Sequence, residues 1–106
     1  MLNDEIRYKL LKALDHDPNL TQRQMAQSMK ISLGKVNYCI SALLEIGLIK
    51  SGSFRRSKNK LGYAYILTSK GMEEKKLVTK LFLQKKMQEH AEIEKEIENI
   101  RIDMSR

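Results

Sequence analysis

Several residue types are scarce in this chain of 106 residues, and each scarcity narrows what the protein can be. The single cysteine excludes a framework of intramolecular disulfides and favours a reducing compartment. Tryptophan is absent, so a core must be mainly aliphatic. No apolar run approaches the roughly 18 residues of a membrane-spanning helix, and the acidic start MLNDEIRYK is unlike a signal peptide. The sequence therefore predicts a small, soluble, cytoplasmic protein without a membrane partner.

Residues that carry catalysis or bind metals are also few and scattered. His16, Cys39 and His90 lie far apart and show no metal-ligand spacing. No serine–histidine–aspartate arrangement, phosphate-binding glycine loop or pair of carboxylates is recognisable. We therefore expect no enzyme, no metal and no cofactor. Cys39 is expected to be a buried structural thiol, with a redox switch as the alternative.

Positive charge, in contrast, is abundant and unevenly placed. The net charge is +7, and residues 1–68 hold eleven Lys or Arg against five Asp or Glu. Residues 50–70 contain six basic residues and no acidic residue. A concentrated positive field favours a polyanion such as nucleic acid as the partner. A basic loop that only keeps the protein soluble is the alternative.

Capping residues divide the first half of the chain into three helices. Asn3 begins the first helix, Thr21 and Gln24 form a capping box for the second, and Ser32 begins the third. Asp17-Pro18 ends the first helix, and Gly47 is expected to cap the end of the third. The apolar residues expected in the core are Ile6, Leu10, Leu11, Leu14, Met25, Ala26, Met29, Val36, Ile40, Leu43 and Leu44.

The second half predicts a hairpin followed by a long helix. LIKSGSF and YAYILT are strand candidates, and the basic stretch RRSKNKLG lies between them. Thr68 begins a last helix from Ser69 to about Met104, weakened only by Gly71. The expected fold class is mainly α with a small β-hairpin. It comprises a winged helix-turn-helix domain over 1–68 and a long C-terminal dimerisation helix over 69–106. A hairpin that merely extends a three-helix bundle is the alternative.

The third helix carries its hydrogen-bonding side chains at its beginning and its apolar side chains at its end. In helix-turn-helix proteins the second helix of the motif inserts its N-terminal residues into the major groove. Ser32 and the first backbone N–H groups can bind phosphate, and Gly34 lets the backbone approach DNA closely. Lys35 can donate to guanine, Asn37 can pair with adenine, and Tyr38 can reach a phosphate or a thymine methyl. An ordinary solvated first turn is the alternative.

Two further groups of residues are expected to contact the DNA backbone. Arginine and lysine on the predicted wing suit phosphate or a narrow minor groove. The start of the second helix is where helix-turn-helix proteins cross the backbone, so its polar side chains should position the protein. The candidates are Arg55, Arg56, Lys58 and Lys60 on the wing, and Gln22 and Arg23 on the second helix.

These residues resemble a known family. ISLGKVNYCISALLEIGLIK resembles the recognition helix and following strand of MarR-type winged-helix regulators, and YILTSKG resembles the start of their next helix. QRQMAQSMKISLGKVNY and FRRSKNKLGYAYILT resemble, more narrowly, the small exopolysaccharide-associated subgroup. The resemblance covers nearly the whole chain and implies a DNA-binding regulator near exopolysaccharide genes. It places Leu33, Gly34, Lys35, Asn37 and Tyr38 toward the groove.

The chain also departs from that family's pattern. The wing of MarR-type proteins usually carries an Asp-x-Arg motif, whereas Asn59 and Leu61 occupy the corresponding places here. Typical members have an additional N-terminal helix that helps to dimerise and to form an effector pocket. This chain begins almost at the winged helix, which weakens the case for a small-molecule effector.

The last helix is expected to dimerise the protein. Its 36 positions would span about 54 Å, which a domain of 68 residues cannot cover. Leu77, Leu81 and Phe82 are expected to pack on the domain. Beyond them, an exposed stripe follows coiled-coil spacing apart from one slip of register. Its members, here named the α4 seam, are Leu83, Met87, His90, Ile93, Ile97, Ile100 and Met104.

The sequence as a whole predicts a homodimeric regulator that binds double-stranded DNA at an inverted repeat. Repression is the expected mode because no activation surface is visible. Two alternatives remain at this point. One is a nonspecific or architectural DNA-binding protein, and the other is a winged-helix module that binds a protein partner through the last helix.

Overall fold

A computed structural model describes residues 3–54 and 63–106. Within these residues the chain forms four helices and two strands. In chain order they are α1 (Asp4–His16), α2 (Gln22–Met29), α3 (Leu33–Glu45), β1 (Ile49–Phe54), β2 (Tyr63–Leu67) and α4 (Ser69–Met104). The predicted fold class, a winged helix-turn-helix with a long C-terminal helix, is confirmed.

Side-chain caps begin the first three helices at the predicted residues. The Asn3 side chain accepts a hydrogen bond from the Ile6 N–H at 2.8 Å. Thr21 and Gln24 form the complete capping box, since each side chain accepts from the other residue's backbone N–H. The Ser32 hydroxyl oxygen accepts from the backbone N–H of the third helical residue at 3.0 Å. Each cap satisfies a donor that the helix leaves free, and contributes about 1 kcal/mol.

The ends of α1 and α3 follow the prediction. Helix α1 ends before Asp17, as expected. Helix α3 ends at Glu45, and Gly47 terminates it as predicted, because its N–H donates to the Leu44 carbonyl oxygen and the next N–H donates to the Leu43 carbonyl oxygen. The Gly47 φ of 80° is the left-handed conformation that glycine adopts without steric cost. The Lys70 ammonium donates to the Ile46 carbonyl oxygen at 3.0 Å, which places a cation at the negative end of α3.

The core is aliphatic and contains most of the predicted residues. Met29 and Leu44 are only half-buried at its edge. In α4 the expectation for Leu77 is wrong, because this side chain is 51% exposed and Val78 is fully buried instead. Leu81 and Phe82 are half-buried as expected, so the face of α4 that meets the domain includes Val78, Leu81 and Phe82 but not Leu77. The buried core residues are Ile6, Leu10, Leu11, Leu14, Met25, Ala26, Val36, Cys39, Ile40, Leu43, Leu48, Ile49 and Val78.

Strands β1 and β2 form the expected antiparallel pair. Ile49 pairs with Leu67 and Ser51 with Tyr65, and the register is irregular between Ser51 and Phe54. The wing is defined here as β1, β2 and residues 55–62, which lie outside the described residues. The pair sits between the end of α3 and the start of α4, so the wing is attached directly to the helical core.

Thr68 joins the wing to α4. Its hydroxyl oxygen accepts from the Gly71 N–H at 3.0 Å, which caps α4 as predicted. The same hydroxyl donates to the Gly47 carbonyl oxygen at 2.6 Å, and the Thr68 N–H donates to the Leu48 carbonyl oxygen at 3.1 Å. One residue thus connects the end of α3, the end of β2 and the start of α4.

The first half of α4 packs against α1. Phe82 stacks on Tyr8 with ring centroids 4.6 Å apart, which confirms its predicted packing on the domain. Two ion pairs bridge the same helices, from Arg7 to Glu74 at 3.3 Å and from Lys75 to Asp15 at 2.6 Å. These contacts fix the direction in which α4 leaves the domain.

The second half of α4 extends away from the domain. The described residues span 65 × 27 × 22 Å, and their radius of gyration is 18.2 Å. A compact chain of this length would have a radius of gyration of about 13 Å. Every residue from 91 to 106 is exposed. Among the described residues, no helix combines the length and hydrophobicity needed to cross a membrane.

Candidate nucleic-acid interface

A short turn sets the angle between α2 and α3. Lys30 adopts the left-handed conformation at φ 57°, and the Ile31 N–H donates to the Ala26 carbonyl oxygen at 3.1 Å. Met25 and Ala26 anchor α2 in the core, and Val36, Cys39 and Ile40 anchor α3. The turn therefore presents the N-terminal part of α3 on the surface of the domain.

The residues predicted to face a DNA groove all lie on that exposed part of α3. Ser32, Leu33, Lys35 and Asn37 are exposed, and Tyr38 is 60% exposed. The buried positions between them contact the core, so the exposed side chains share the outer surface of the helix. This arrangement provides donors, acceptors and an aromatic ring within the first two turns. Such groups can bond to phosphates and to base edges.

Gly34 leaves the start of this surface open. A Cβ at this position would meet no atom within 4 Å. The backbone of the first turn is therefore accessible to a partner from outside. The absence of a side chain here is not required by packing within the described residues.

Hydrogen bonds connect α3 to α2, and α2 to the wing. The Asn37 side-chain amide Nδ2 donates to Gln22 Oε1 at 3.2 Å. The Gln22 Nε2 donates to the Tyr65 hydroxyl at 3.5 Å. Gln22 is half-buried between its two partners, whereas the neighbouring Arg23 is exposed. Gln22 and Arg23, both expected to contact the DNA backbone, therefore differ in environment. Gln22 is hydrogen-bonded to other residues of the protein, whereas Arg23 faces solvent.

The four basic wing candidates, Arg55, Arg56, Lys58 and Lys60, lie in the segment outside the described residues. Lys50, in β1, is exposed.

Two residues of this surface were not singled out from the sequence. Ser41 is exposed and lies one turn after Asn37 and Tyr38 on α3. The spacing of four residues between Asn37 and Ser41 predicts that both lie on the same face of α3. The alternating pattern of the sequence indicates only that Tyr65 lies in a strand. Its hydroxyl contact with Gln22 joins residues that are distant in sequence, and no local pattern predicts such a contact.

The α4 seam is exposed along its whole length. Its apolar members are Leu83, Met87, Ile93, Ile97, Ile100 and Met104, and His90 lies among them with its Nε2 at 3.6 Å from Glu94 Oε1. None of these side chains belongs to the core. The structure thus brings together an apolar stripe that nothing in the described chain covers. In the described ranges, no group of three or more His, Cys, Asp or Glu is arranged to hold a metal ion.

Comparison with known proteins supports the architecture. Residues 3–50 match the family model described as winged helix-turn-helix DNA-binding. No curated protein sequence matches the chain. Among solved structures, a complex of the Staphylococcus aureus protein MepR with DNA is similar at a TM-score of 0.72 and 17% identity. That match covers 98% of this chain and 75% of the MepR chain.

Two other solved structures show the same likeness. A MarR family protein of Mycobacterium tuberculosis, in complex with p-aminosalicylic acid, matches at a TM-score of 0.67 and 14% identity, covering 94% of this chain and 77% of that chain. The multiple antibiotic-resistance repressor of Listeria monocytogenes matches at a TM-score of 0.55 and 15% identity, covering 90% and 72%. The chain therefore shares its fold with these proteins.

Proposed function

We propose that this protein is a MarR-type transcriptional regulator that binds double-stranded DNA as a homodimer. The exposed polar surface at the start of α3, in a segment that matches a winged helix-turn-helix DNA-binding model, carries the proposal. The net charge of +7 and the shared fold of a DNA-bound protein over 98% of the chain support it. It would act in the cytoplasm of a bacterium.

Helix α3 would read the major groove. Asn37 has the acceptor and donor that pair with adenine, and Lys35 can donate to guanine or phosphate. Tyr38 would contact a phosphate or a thymine methyl. The exposed position of all three side chains supports these roles. Ser32, Leu33 and Gly34 would approach the backbone at the helix start, together with Arg23.

The wing would contact the phosphate backbone or the minor groove, beside the major groove that α3 occupies. Arg55, Arg56, Lys58 and Lys60 form a basic run between two strands without any intervening acid. Guanidinium groups bind phosphate in a bidentate manner and are attracted to a narrow minor groove. The wing would therefore supply much of the salt-dependent affinity, whereas α3 would supply the sequence preference.

The α4 seam would join two copies. Ile93, Ile97, Ile100 and Met104 repeat at steps of four, three and four residues, which is the spacing of a coiled-coil contact. All four side chains are exposed, so pairing would bury apolar surface that a single chain leaves in water. Two recognition helices would then lie about 34 Å apart and select an inverted repeat.

Repression is the proposed mode, since a dimer bound across a promoter blocks transcription without any further surface. The proposed link to exopolysaccharide genes depends on the sequence resemblance of SLGKVNY and KNKLGYAY alone. An architectural DNA-binding protein uses the same basic wing, and a protein-binding module would use the exposed α4 seam. Both remain candidates for the test below.

The decisive experiment is a selection of bound fragments from the source genome at near-physiological salt, followed by sequencing. Enrichment of an inverted repeat, with half-sites about one helical turn apart, is the expected result and would also identify the regulated genes. Fragments retained without a shared motif would contradict sequence-specific regulation and favour an architectural role. No retention would exclude DNA as the partner and direct attention to a protein bound by α4.

A further inference from the structure

We propose that Gln22 is a positioning residue for base readout, because its hydrogen bond restricts the side-chain amide of Asn37 and it also contacts Tyr65 of the wing. The inference rests on the proposed function and deepens it. It concerns how the α3 surface is organised before DNA arrives, and which base that organisation suits.

The first step concerns the freedom of Asn37. An exposed asparagine amide on a helix surface can rotate, and its oxygen and nitrogen present opposite hydrogen-bonding characters. A freely rotating amide must be ordered on binding, which costs conformational entropy. In this structure Asn37 Nδ2 donates to Gln22 Oε1 at 3.2 Å. This bond ties the Asn37 amide to a half-buried side chain and so restricts its rotation before DNA binds.

The second step concerns which groups remain free. Nδ2 carries two hydrogens, and the bond to Gln22 uses one of them. The second N–H and the Oδ1 acceptor of Asn37 are left for an outside partner. Adenine presents N7 as an acceptor and its N6 amino group as a donor in the major groove, which matches this remaining pair. Asn37 can therefore keep its bond to Gln22 while it pairs with adenine.

The third step concerns what holds Gln22. Its Nε2 donates to the Tyr65 hydroxyl at 3.5 Å, and the side chain is half-buried. Tyr65 lies on β2 and pairs with Ser51 of β1. The orientation of a base-reading side chain on α3 is thus linked through one glutamine to a strand of the wing.

The experiment compares binding to a synthetic duplex that carries the selected site with binding to duplexes in which single A·T pairs are changed to G·C. Asn37→Ala should lose about 5- to 150-fold of the preference at one base position. Gln22→Ala should lose about 2- to 12-fold of the preference at that same position. Gln27→Ala removes an exposed glutamine from the same helix and should leave the preference unchanged.

Two further variants separate positioning from a general structural role. Gln22→Glu keeps an acceptor for Asn37 Nδ2, and Tyr65 can donate to the carboxylate. We therefore expect the base preference to be retained while affinity for all duplexes falls, because a negative charge has been added. In the Asn37→Ala background, Gln22→Ala should cause no further loss of preference. Thermal unfolding of each variant confirms that the domain is folded.

The outcomes are distinguishable. A wild-type protein that binds every duplex equally overturns both the proposed function and this inference. A wild type with a clear preference that Gln22→Ala leaves intact overturns the inference alone. If Gln22→Ala lowers affinity equally for all duplexes, also when Asn37 is absent, Gln22 contacts the DNA backbone itself and the positioning role is wrong.

Discussion

Gly71 lies against the backbone carbonyl of Leu48, at the point where α4 begins beside the start of β1. A Cβ on residue 71 would overlap the Leu48 oxygen and would lie 2.9 Å from its carbonyl carbon. The same oxygen accepts a hydrogen bond from the Thr68 N–H at 3.1 Å. Glycine therefore permits the close approach of α4 to the backbone just before β1, and its lower helix propensity is the cost of that approach.

Replacing Gly71 by alanine should destabilise the protein. In an exposed helix the same change would stabilise by about 1 kcal/mol. Here we expect the free energy of unfolding to fall by about 1–3 kcal/mol, because backbone must move to admit the methyl group. Urea denaturation followed by circular dichroism measures the change.

Gly34→Ala is the matched control, since it also replaces a helical glycine. No atom lies within 4 Å of the added Cβ. The free energy of unfolding should rise by about 0.5–1 kcal/mol. An increase of similar size for both variants would show that the Leu48 contact does not constrain residue 71.

The stacked rings of Tyr8 and Phe82 should couple α1 to α4. Their centroids are 4.6 Å apart with an interplanar angle of 18°. A double-mutant cycle of Tyr8→Ala and Phe82→Ala should give a coupling of about 0.5–1.5 kcal/mol in the free energy of unfolding. The cycle of Tyr8→Ala with Leu83→Ala should give none, since Leu83 is exposed. Additive effects in the first cycle would contradict the stacking contact.

A single glutamate in the α4 seam should separate the proposed dimer. Ile97 is 43% exposed, and Ile97→Glu would place charges opposite each other across a coiled-coil contact. We expect a monomer at micromolar concentration by size-exclusion chromatography with light scattering. Ile102 is 45% exposed and lies five positions further along the helix, about 140° around its axis. Ile102→Glu should leave the dimer intact, and a monomeric wild type would contradict the proposed interface.

Wing and α3 variants should affect DNA binding in different ways. A dimer that makes about 8 phosphate contacts should show a log–log salt slope of about −7. Replacing Arg55 and Arg56 by alanine should flatten that slope to about −4 on any sequence, because four contacts are lost per dimer. Asn37→Ala should leave the slope nearly unchanged and reduce the operator preference by about 1–3 kcal/mol. Equal weakening of all sequences by Asn37→Ala would contradict base readout.

Local signals predicted most of the fold. Asn3, Thr21, Ser32 and Thr68 each begin the helix expected of them, since a capping side chain acts within three residues of itself. The predictions that were wrong concerned contacts between segments that are distant in sequence. Val78 was overlooked because periodicity gives a face of α4 but not the rotation at which α1 meets it.

The candidate site was predictable to a similar extent. The exposed positions of α3 agree with its apolar periodicity, and Gly47 terminates the helix as predicted. The contact of Asn37 with Gln22 joins residues fifteen apart in sequence, and that of Gln22 with Tyr65 joins residues forty-three apart. No sequence pattern within α2, α3 or β2 predicts these two contacts. The packing of α2 against α3 creates the first contact, and the side chain of Tyr65 on β2 reaches the start of α2 to create the second.

Thr68 connects α4 to the rest of the domain without a flexible linker. Its three hydrogen bonds hold the end of α3, the entry to β1 and the first turn of α4 together, without an intervening linker. We therefore expect the domain and its long helix to move as one rigid body. Over the length of this helix, about 54 Å, a rotation of 5° displaces the far end by about 5 Å. In a pair joined along α4, a small change in the angle between the two helices would alter the spacing of the two α3 surfaces by a comparable distance.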